Sequence, residues 1–399
     1  MRIVYLSTAG VVGGAERDLL EVVAAVRAAR PGWRLGVLVG AEGPLRGAVA
    51  ALGVDCRVVP LPGAVARLGD AGLRGVGGRL RLAAAAPAAA GAAAAYLVGL
   101  RRALAAWGPA WVQTNDMKAH LLGAWATPRD VPVGWYVQDY PGPRPAMSRL
   151  LRAAARRRRL LAPVAISAAV AADAAAVLGR PVPAIEPAID LREFAPEGPA
   201  ADLDAAAGLP PAPAGTVRVG LVAAFARWKG QEVFLQAITR LDPAAPTRFY
   251  VVGGPIYRRA AAQYGLEELR HRARLLGLGG RVGFTGHRDD PAAALRALDV
   301  VVHASTRPEP FGRVIAEALA CGRPVVAARD SGALGPHPDA GPALTCPGGD
   351  PAALAAALDR LIATPDLRRR LGLAGRHAAR ARFDRATLAR RWLEVYAGG

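Results

Sequence analysis

The sequence predicts an α/β protein with two doubly wound, Rossmann-like parallel-sheet domains that face each other across a cleft. Short β-branched runs alternate with helical stretches along the 399 residues, as in parallel sheets covered by helices. The alternation restarts after residue 215, and the stretch 181–215 between the two series is rich in proline, alanine and glycine. Because ligands of open parallel sheets bind beyond the carboxyl ends of the strands, two such sheets predict an interdomain binding cleft.

Each domain is predicted from its own series of strands. The first domain, residues 1–187, contains the runs RIVYLS, RLGVLVG, CRVVPL, AWVQTN and VGWYVQD. The second domain, residues 188–380, contains VRVGLVAAF, TRFYVVGG, RVGFTG, DVVVHAS and PVVAA. The chain ends in two amphipathic helices, and we expect the last one, within 381–399, to return to the first domain.

The net charge of +19 invites a nucleic-acid partner, but the distribution of the charge argues against one. Of the 51 basic residues only Lys118 and Lys229 are lysines, so the arginine excess reflects the composition of the whole chain. The charge is accompanied by no RNA-binding signature, zinc-finger spacing or interleaved aromatic pattern. We therefore predict no nucleic-acid partner.

One local cluster of charge has a more specific interpretation. The run RLLRAAARRRRLL, residues 149–161, predicts an amphipathic basic helix. Such a helix can lie on an anionic membrane face, which would make the protein peripheral to the membrane. A solvated helix face is the alternative that the sequence leaves open.

Cysteine usage and the chain start predict a cytoplasmic protein, with attachment to the inner membrane face as the accompanying hypothesis. Cys56, Cys321 and Cys346 are an odd number in unrelated contexts, which favours a reducing compartment and argues against a disulfide framework. The first apolar run, IVYL, stops at a turn and is too short for a signal peptide. The alanine-rich stretch 83–100 is weakly apolar and interrupted by proline and glycine, so it predicts a surface helix or loop.

Three loops are predicted to approach a phosphate or a nucleotide. Gly13 and Gly14 stand between the first strand and a helix, where free N–H groups suit an anion. Arg227 and Lys229 follow the first strand of the second domain, and a lysine retained among arginines suggests a compact charge for a phosphate. Gly254, after the run FYVV, allows close approach of a ligand. The glycines do not form G-x-G-x-x-G, so a nicotinamide enzyme is not expected.

Glu317 is unusual because it lies in the middle of a predicted buried helix, within RPEPFGRVIAEALACGRPVVAAR (307–329). An ionised carboxylate among apolar neighbours is costly unless donors reach it, either an arginine from elsewhere or hydroxyls of a ligand. Glu309 lies eight positions earlier, on the order of 12 Å along a helix, which suits two ends of one bound molecule. A solvated glutamate and a structural ion pair remain the alternative at this point.

Further motifs occur in a fixed order along the chain. EPFGRVIAE has the spacing Glu-x7-Glu, is preceded by DVVVHASTRP and is followed by ALACGRPVVA. GGAER, WKGQ, FTGHRDD, AIDLREFAP and the tail PGGDPAALAAALDRLIATPDLRRRLG complete the set. This ordered set resembles the retaining, nucleotide-sugar-dependent glycosyltransferases of family 4, which have the GT-B fold. The resemblance covers nearly the whole chain and is strongest from residue 217 onward.

The resemblance implies a role for most of the residues above. Glu317 would accept hydrogen bonds from the donor ribose, and Glu309 would contact hydroxyls of the donor sugar. Lys229 would neutralise the charge that develops on the leaving diphosphate. The other implied donor-binding residues line the diphosphate and ribose: Phe311, Gly312, Val314 and Gly254, with Gly13 and Gly14 from the first domain.

Two positions depart from the family pattern. Ala224 stands where an arginine is expected, five residues before Lys229, and Arg227 is the hypothetical catalytic replacement. In WYVQDY, Gln138 replaces the acceptor-side histidine of the first domain. The other acceptor-side candidates are Asp116, His120 and Asp139, although a lone histidine is often structural.

The resemblance implies a metal-independent hexosyltransferase that needs no cofactor beyond its donor. The one D-x-D motif, Asp202 to Asp204, lies in the linker region and predicts a solvated turn. The implied partners are a nucleoside diphosphate sugar and a hydroxyl acceptor, which the sequence does not identify as glycan, lipid or small metabolite. A sugar-nucleotide epimerase of similar fold and a non-catalytic sugar-nucleotide-binding protein remain alternatives.

Overall fold

The chain divides into two compact units. The computed structural model describes residues 1–66, 76–158, 161–255, 262–337 and 341–398, except the side chains of 76–89. Unit 1 comprises Met1–Ala188 with Arg385–Gly399, and unit 2 comprises Ile189–Asp384. The sequence predicts these two junctions after residues 187 and 380.

Unit 1 contains a six-stranded parallel sheet. Its strands are β1 (Arg2–Ser7), β2 (Arg34–Val39), β3 (Asp55–Val58), β4 (Trp111–Thr114), β5 (Val133–Val137) and β6 (Leu161–Ala165). Their spatial order is β3-β2-β1-β4-β5-β6, so the chain starts near the middle of the sheet and winds outward in both directions. The central strands are apolar and buried along nearly their whole length, because helices cover both faces.

The helices of unit 1 follow its strands along the chain. They are α1 (Gly14–Ala29), α2 (Pro44–Ala51), α3 (Gly63–Ala66), α4 (Val76–Trp107), α5 (Met117–Ala126), α6 (Pro145–Arg157) and α7 (Ala168–Leu178). Leu100, Leu104 and Trp107 of α4 pack against Val4 and Leu6 of β1 in one buried cluster. Contacts of this kind hold the long alanine-rich helix onto the sheet.

Unit 2 contains a second six-stranded parallel sheet. Its strands are β7 (Val217–Val222), β8 (Thr247–Val252), β9 (Val282–Gly286), β10 (Val300–His303), β11 (Val325–Ala328) and β12 (Ala343–Cys346). The order is β12-β11-β10-β7-β8-β9, so β7 and β10 are adjacent at the centre. The two sheets confirm the predicted α/β class with two doubly wound domains.

The helices of unit 2 cover its sheet. They are α8 (Leu203–Ala207), α9 (Gln231–Ile238), α10 (Leu266–Leu275), α11 (Pro291–Arg296), α12 (Arg313–Ala320), α13 (Pro351–Ala363) and α14 (Pro365–Arg382). Short 3-10 turns occur at Arg227–Lys229 and Gly332–Leu334. Phe234 of α9 packs edge-on against Phe249 of β8, with ring centroids 6.2 Å apart, and anchors this core.

The last helix, α15 (Arg385–Ala397), belongs to unit 1 and packs on α1. Trp392 lies edge-on to Tyr136 with ring centroids 5.1 Å apart, and the Tyr396 hydroxyl donates to Gln113 Oε1 over 2.5 Å. Arg385 also pairs with Glu21 at 2.5 Å. The tail therefore completes the core of unit 1 instead of extending unit 2.

The structure corrects two details of the sequence analysis. Strands β6 and β12, one at an edge of each sheet, are absent from the predicted series. The basic helix predicted over 149–161 ends at Arg157, because Leu161 already begins β6; residues 159–160 lie outside the described set. Within the described residues, no helix is both long enough and apolar enough to cross a membrane.

Candidate active site

The candidate residues of unit 2 gather at the carboxyl edge of its sheet. The chain leaves β7 at Val222 and reaches Lys229 in a 3-10 turn before α9. It leaves β10 at His303 and reaches Glu309 in the loop before α12. Because β7 and β10 are neighbouring parallel strands, both loops emerge at the same edge.

Lys229 and Glu309 form a short ion pair at this edge. Lys229 Nζ lies 2.6 Å from Glu309 Oε2, and the side chains are only 21% and 14% exposed. The same oxygen accepts a hydrogen bond from Ser305 Oγ at 2.9 Å and faces His303 Nε2 at 3.5 Å. Burial alone would raise the pKa of Glu309, but the hydrogen bond to His303 and the Lys229 charge hold it well below its usual range. Glu309 is therefore an ionised acceptor.

The two loops are held against each other through backbone contacts. The Thr306 N–H donates to the Trp228 carbonyl over 2.8 Å. Gly230 has φ +77°, and a Cβ there would lie 1.9 Å from the Ala304 carbonyl oxygen. The positive φ and the close Ala304 carbonyl both require glycine at position 230, so the position of Lys229 depends on Gly230.

The Glu309 backbone is fixed by the segment that follows β11. Its N–H donates to the Asp330 carbonyl over 2.8 Å, and its carbonyl accepts from the Gly332 N–H over 3.1 Å. Gly312 has φ +87°, and a Cβ there would stand 3.3 Å from Glu309 Cγ and 3.5 Å from His303 Nε2. The glycine of the EPFG motif therefore leaves the space that Glu309 and His303 occupy.

Glu317 is buried, as predicted, but its partner comes from its own helix. Arg313 Nε lies 3.3 Å from Glu317 Oε1, and the two side chains are 12% and 9% exposed. The sequence predicts an arginine from elsewhere in the fold or a ligand as the partner. The spacing of four residues places Arg313 one turn earlier on the same face of α12, which is the structural ion pair left open as the alternative.

The remaining candidates of unit 2 differ in exposure. Phe311 is 2% exposed and packs edge-on against Phe383, with ring centroids 5.7 Å apart. Val314 is half-buried at the start of α12, and Gly254 is buried near His287. Arg227 Nη2 lies 3.2 Å from Glu268, and its guanidinium lies over the Tyr264 ring, 4.4 Å from the centroid. Its guanidinium therefore has partners on α10 and in the loop before it.

Unit 1 brings several of its candidates together at the carboxyl ends of its strands. Gly13 precedes α1, and its N–H donates to the Glu16 carboxylate over 3.0 Å. Gly14, the first residue of α1, has open space where a Cβ would be. Burial raises the pKa of Glu16. This helix start carries a buried acid, so its N–H groups are not all available to a ligand phosphate.

Asp116 caps α5 and ties it to the end of β1. Its carboxylate accepts from the Ala119 N–H at 2.9 Å, the Thr8 N–H at 2.7 Å and the Thr8 hydroxyl at 2.9 Å. Gln138 donates to Asn115 over 3.2 Å beside this cap. Asp139 instead forms a half-exposed ion pair with Arg144 at 2.5 Å.

His120 lies inside unit 1, away from solvent. It is 1% exposed, stacks on Trp135 with ring centroids 5.1 Å apart, and contacts Thr114 Oγ1 through Nδ1 at 2.6 Å. Burial lowers its pKa to about 3, so the imidazole is neutral. A side chain in this position packs in the core of unit 1.

The prediction that Asp202 and Asp204 form a solvated turn is wrong for Asp204. Asp204 is 4% exposed and accepts from Arg248 and the Tyr250 hydroxyl, each at 2.7 Å, and from Arg218 at 3.2 Å. Burial alone would raise its pKa, but the hydrogen bonds from Arg248 and Tyr250 hold the pKa well below its usual range. Asp202 only caps α8, through the Ala205 N–H.

Sequence reasoning missed three side chains of the Glu309 cluster. His303, Ser305 and Ser331 are each less than 5% exposed and connect to Glu309 directly or through one another. The run DVVVHAS offered a signal, since a histidine at the carboxyl end of a buried strand lies where ligands of parallel sheets bind.

The part of the chain that contains the Glu309 cluster matches a known protein family. Residues 216–364 match the glycosyl transferases group 1 family. The matched segment contains Lys229, His303, Glu309 and Glu317, and it covers less than half of the chain. The predicted resemblance to glycosyltransferases is thereby confirmed at the level of group 1.

Curated relatives carry glycosyltransferase names. D-inositol 3-phosphate glycosyltransferase of Streptomyces bingchenggensis is 34% identical over 224 residues, which are 54% of this chain and 47% of that protein. The lipopolysaccharide core biosynthesis glycosyltransferase LpsE of Rhizobium meliloti is 35% identical over 131 residues, 33% of this chain and 38% of that protein. The chain thus spans about half the length, or less, of these relatives.

A solved structure covers the whole chain. Alr3699/HepE of Anabaena, crystallised with UDP and glucose, has a TM-score of 0.78 and 25% identity, with 100% of both chains covered. Together with the two six-stranded parallel sheets, this likeness confirms the predicted GT-B fold class.

Proposed function

We propose that the protein is a retaining, family 4 glycosyltransferase that moves a hexosyl group from a nucleoside diphosphate sugar to a hydroxyl acceptor. The observation that carries the proposal is the 2.6 Å ion pair between Lys229 and Glu309 at the carboxyl edge of the sheet. A half-buried cation beside a half-buried acceptor suits a ligand that presents phosphates next to sugar hydroxyls. UDP and glucose in the HepE structure support a sugar nucleotide as the donor.

The proposed reaction proceeds on one face of the donor sugar and needs no enzymic base, metal or cofactor. The bond between the anomeric carbon and the leaving phosphate oxygen breaks while the acceptor oxygen attacks from the same side. The acceptor proton passes to the leaving diphosphate, so the anomeric configuration is retained. Lys229 stabilises the charge that grows on the diphosphate, and Glu309 orients the sugar through its hydroxyls. Glu317 holds the ribose.

The donor is tested by a thermal-shift and calorimetry panel of UDP, GDP and ADP sugars, with EDTA in a parallel series. We expect one base to raise the melting temperature, equally with and without EDTA. Glu309→Gln should remove most of the shift, while Glu267→Gln, which breaks an exposed ion pair of 2.7 Å, should not. A wild-type protein that binds no sugar nucleotide would refute the proposal.

Product analysis separates transfer from its rivals. With donor and a mixture of hydroxyl acceptors, proton NMR should show a product with the anomeric configuration of the donor. An epimerase would change the donor sugar without an acceptor, and a non-catalytic sensor would bind donor without consuming it. The curated relatives are named as glycosyltransferases and favour the first outcome.

We further propose that the protein works in the cytoplasm and binds an anionic membrane face peripherally through α6. On this helix Arg149, Leu150, Arg156 and Arg157 are exposed, Leu150 by 55%. Arg157 lies over the ring of Trp125, itself 42% exposed, at 4.3 Å. Exposed apolar side chains among arginines are typical of helices that lie in the headgroup layer.

Sedimentation with lipid vesicles tests this attachment. Phosphatidylglycerol vesicles should retain the protein and phosphatidylcholine vesicles should not, with binding lost as salt is raised. Leu150→Glu should weaken retention. Arg158 is not substituted in this test, because it donates to the Thr127 carbonyl over 3.1 Å and so stabilises the fold. Equal retention of wild type and Leu150→Glu would mean that α6 is a solvated face.

A further inference from the structure

His303 is buried between two serines and the Glu309 carboxylate. It is 4% exposed at the end of β10, and Ser331 Oγ lies 3.3 Å from its Nδ1. Ser305 Oγ lies 3.2 Å from its Nε2. A histidine enclosed in this way has a single orientation, so each ring nitrogen faces a definite partner.

The hydroxyl of Ser331 fixes one hydrogen of the imidazole ring. Ser331 donates its only hydroxyl hydrogen to the Ala328 carbonyl over 2.7 Å. Toward His303 the serine oxygen can therefore only accept, which places a hydrogen on Nδ1. Ser305 likewise donates its hydroxyl hydrogen to Glu309 Oε2 over 2.9 Å, so toward Nε2, 3.2 Å away, its oxygen can only accept. A hydrogen is therefore placed on Nε2 as well, and this N–H faces Glu309 Oε2 at 3.5 Å.

Contacts with Glu309 are concentrated on one of its two oxygens. Oε2 is reached by Lys229 at 2.6 Å, Ser305 at 2.9 Å and His303 at 3.5 Å. No hydrogen bond from a described residue to Oε1 is present. The cluster thus holds the carboxylate by one oxygen and leaves the other for a ligand hydroxyl.

Binding of a diphosphate would change the contacts of Glu309 Oε2, because Lys229 is the proposed phosphate contact. If the lysine turns toward phosphate, Glu309 loses its closest cation while it stays buried, and an unpaired buried carboxylate is strongly disfavoured. His303 and Ser305 remain as the two partners of Oε2. They belong to β10 and its loop, so they do not move with the lysine side chain.

From this geometry we propose that His303 is a positioning residue that keeps Glu309 oriented, with Oε1 toward the donor sugar, while Lys229 engages the diphosphate. This inference rests on the proposed function. His303 acts through Glu309 and Ser305 and does not itself touch the donor. It therefore determines how much the sugar part, as opposed to the nucleotide part, contributes to donor affinity.

Two substitutions of His303 separate positioning from packing. The amide nitrogen of glutamine lies near the position of the imidazole Nε2, whereas that of asparagine lies near Nδ1. His303→Gln should therefore retain a donor toward Glu309, and His303→Asn should retain only the Ser331 side. We expect His303→Asn to weaken UDP-glucose binding about tenfold and UDP binding less than twofold, with His303→Gln close to wild type.

The experiment is isothermal calorimetry of UDP and UDP-glucose with wild type, His303→Gln, His303→Asn, Glu309→Gln and the double variant His303→Asn/Glu309→Gln. If His303 acts through Glu309, its substitution has no further effect in the Glu309→Gln background. Equal losses for UDP and UDP-glucose, equal effects of the two His303 variants, or an undiminished effect in the Glu309→Gln background would overturn the inference. If the panel of sugar nucleotides selects another base, the matching nucleotide pair is used.

Failure of the proposed function can be distinguished from failure of this inference. A wild type that binds no sugar nucleotide would refute the function alone. The same five proteins, unfolded in urea without ligand, would then decide whether His303 holds Glu309. Non-additive shifts of the midpoint support the positioning of Glu309, and additive shifts overturn it.

Discussion

Two buried carboxylates at opposite edges of the unit 2 sheet have very different surroundings. Asp204 is held by Arg218 near the start of β7 and by Arg248 near the start of β8, at the amino edge. Glu309 lies in the loop after β10, at the carboxyl edge. Both pKa values are held below the usual range. Burial and charge alone therefore do not distinguish them.

The difference lies in how completely each carboxylate is hydrogen-bonded. Asp204 Oδ1 accepts from Arg248 and Tyr250, and Oδ2 accepts from Arg218 and the Ala212 N–H. The described hydrogen bonds and ion pairs of the Glu309 side chain fall on one oxygen, Oε2. A carboxylate with both oxygens occupied is a structural element, whereas one that is half occupied can still bind a ligand.

The largest effect is expected at Asp204, on stability. Asp204→Ala leaves Arg218, Arg248 and Tyr250 without their shared acceptor, and loss of one partner from such a cluster costs about 3–5 kcal/mol. Urea unfolding followed by circular dichroism measures this loss. The remaining folded protein should bind donor as wild type does. A donor-specific loss without destabilisation would place Asp204 in a binding site and remove the contrast with Glu309.

Lys229→Ala should affect turnover most and should cost less stability than Asp204→Ala, because His303 and Ser305 still contact Glu309. Without the ammonium group the leaving diphosphate loses its stabilising charge, so kcat should fall at least 100-fold, which is about 2.7 kcal/mol. Steady-state kinetics with the selected donor measures the fall, and Arg227→Ala is the matched comparison. A mild effect of Lys229→Ala beside a large effect of Arg227→Ala would transfer the phosphate role to Arg227.

The sequence predicted the central strands and the Glu-x7-Glu pair well because both signals are local. The buried β-branched runs of β1, β7 and β10 are contiguous, and Glu309 and Glu317 belong to one motif. The missed strands, LAPVA of β6 and ALTC of β12, are short edge strands that lack such runs. Their pairing depends on neighbours in the sheet, which the segment itself does not encode.

Contacts between distant positions could not be predicted in the same way. Asp204 was misjudged because its donors Arg218, Arg248 and Tyr250 lie 14, 44 and 46 positions away. The role of His303 depends partly on Ser331, 28 positions further on. The pair of Arg313 and Glu317, by contrast, has a spacing of four residues within one helix and was available from the sequence.

Glu317→Ala should remove donor binding while the fold is retained. The ribose hydroxyls then lose their proposed acceptor, and Arg313, 12% exposed, loses its 3.3 Å contact with Glu317. We expect affinity for the donor to fall tenfold or more, below calorimetric detection for a weak donor. Unchanged donor affinity would mean that Glu317, like Asp204, is a structural acid and that its ion pair with Arg313 serves the fold.

The most gradual expected effect is the dependence of stability on pH. The pKa values of Asp204 and Glu309 are lower in the folded than in the unfolded chain, so the folded state binds protons less readily. Their contribution is complete above the unfolded carboxyl pKa of about 4 and is lost as pH falls below it, at up to about 1.4 kcal/mol per pH unit for each group. Urea unfolding between pH 6 and pH 3 should show this fall. Asp204→Asn and Glu309→Gln should each flatten the curve.

A bound donor adds a hydrogen bond to Glu309 but none to Asp204. Donor should therefore change the pH dependence of Asp204→Asn, which retains Glu309, but not that of Glu309→Gln. A donor effect of equal size in both variants would contradict the division between a closed and a half-open carboxylate.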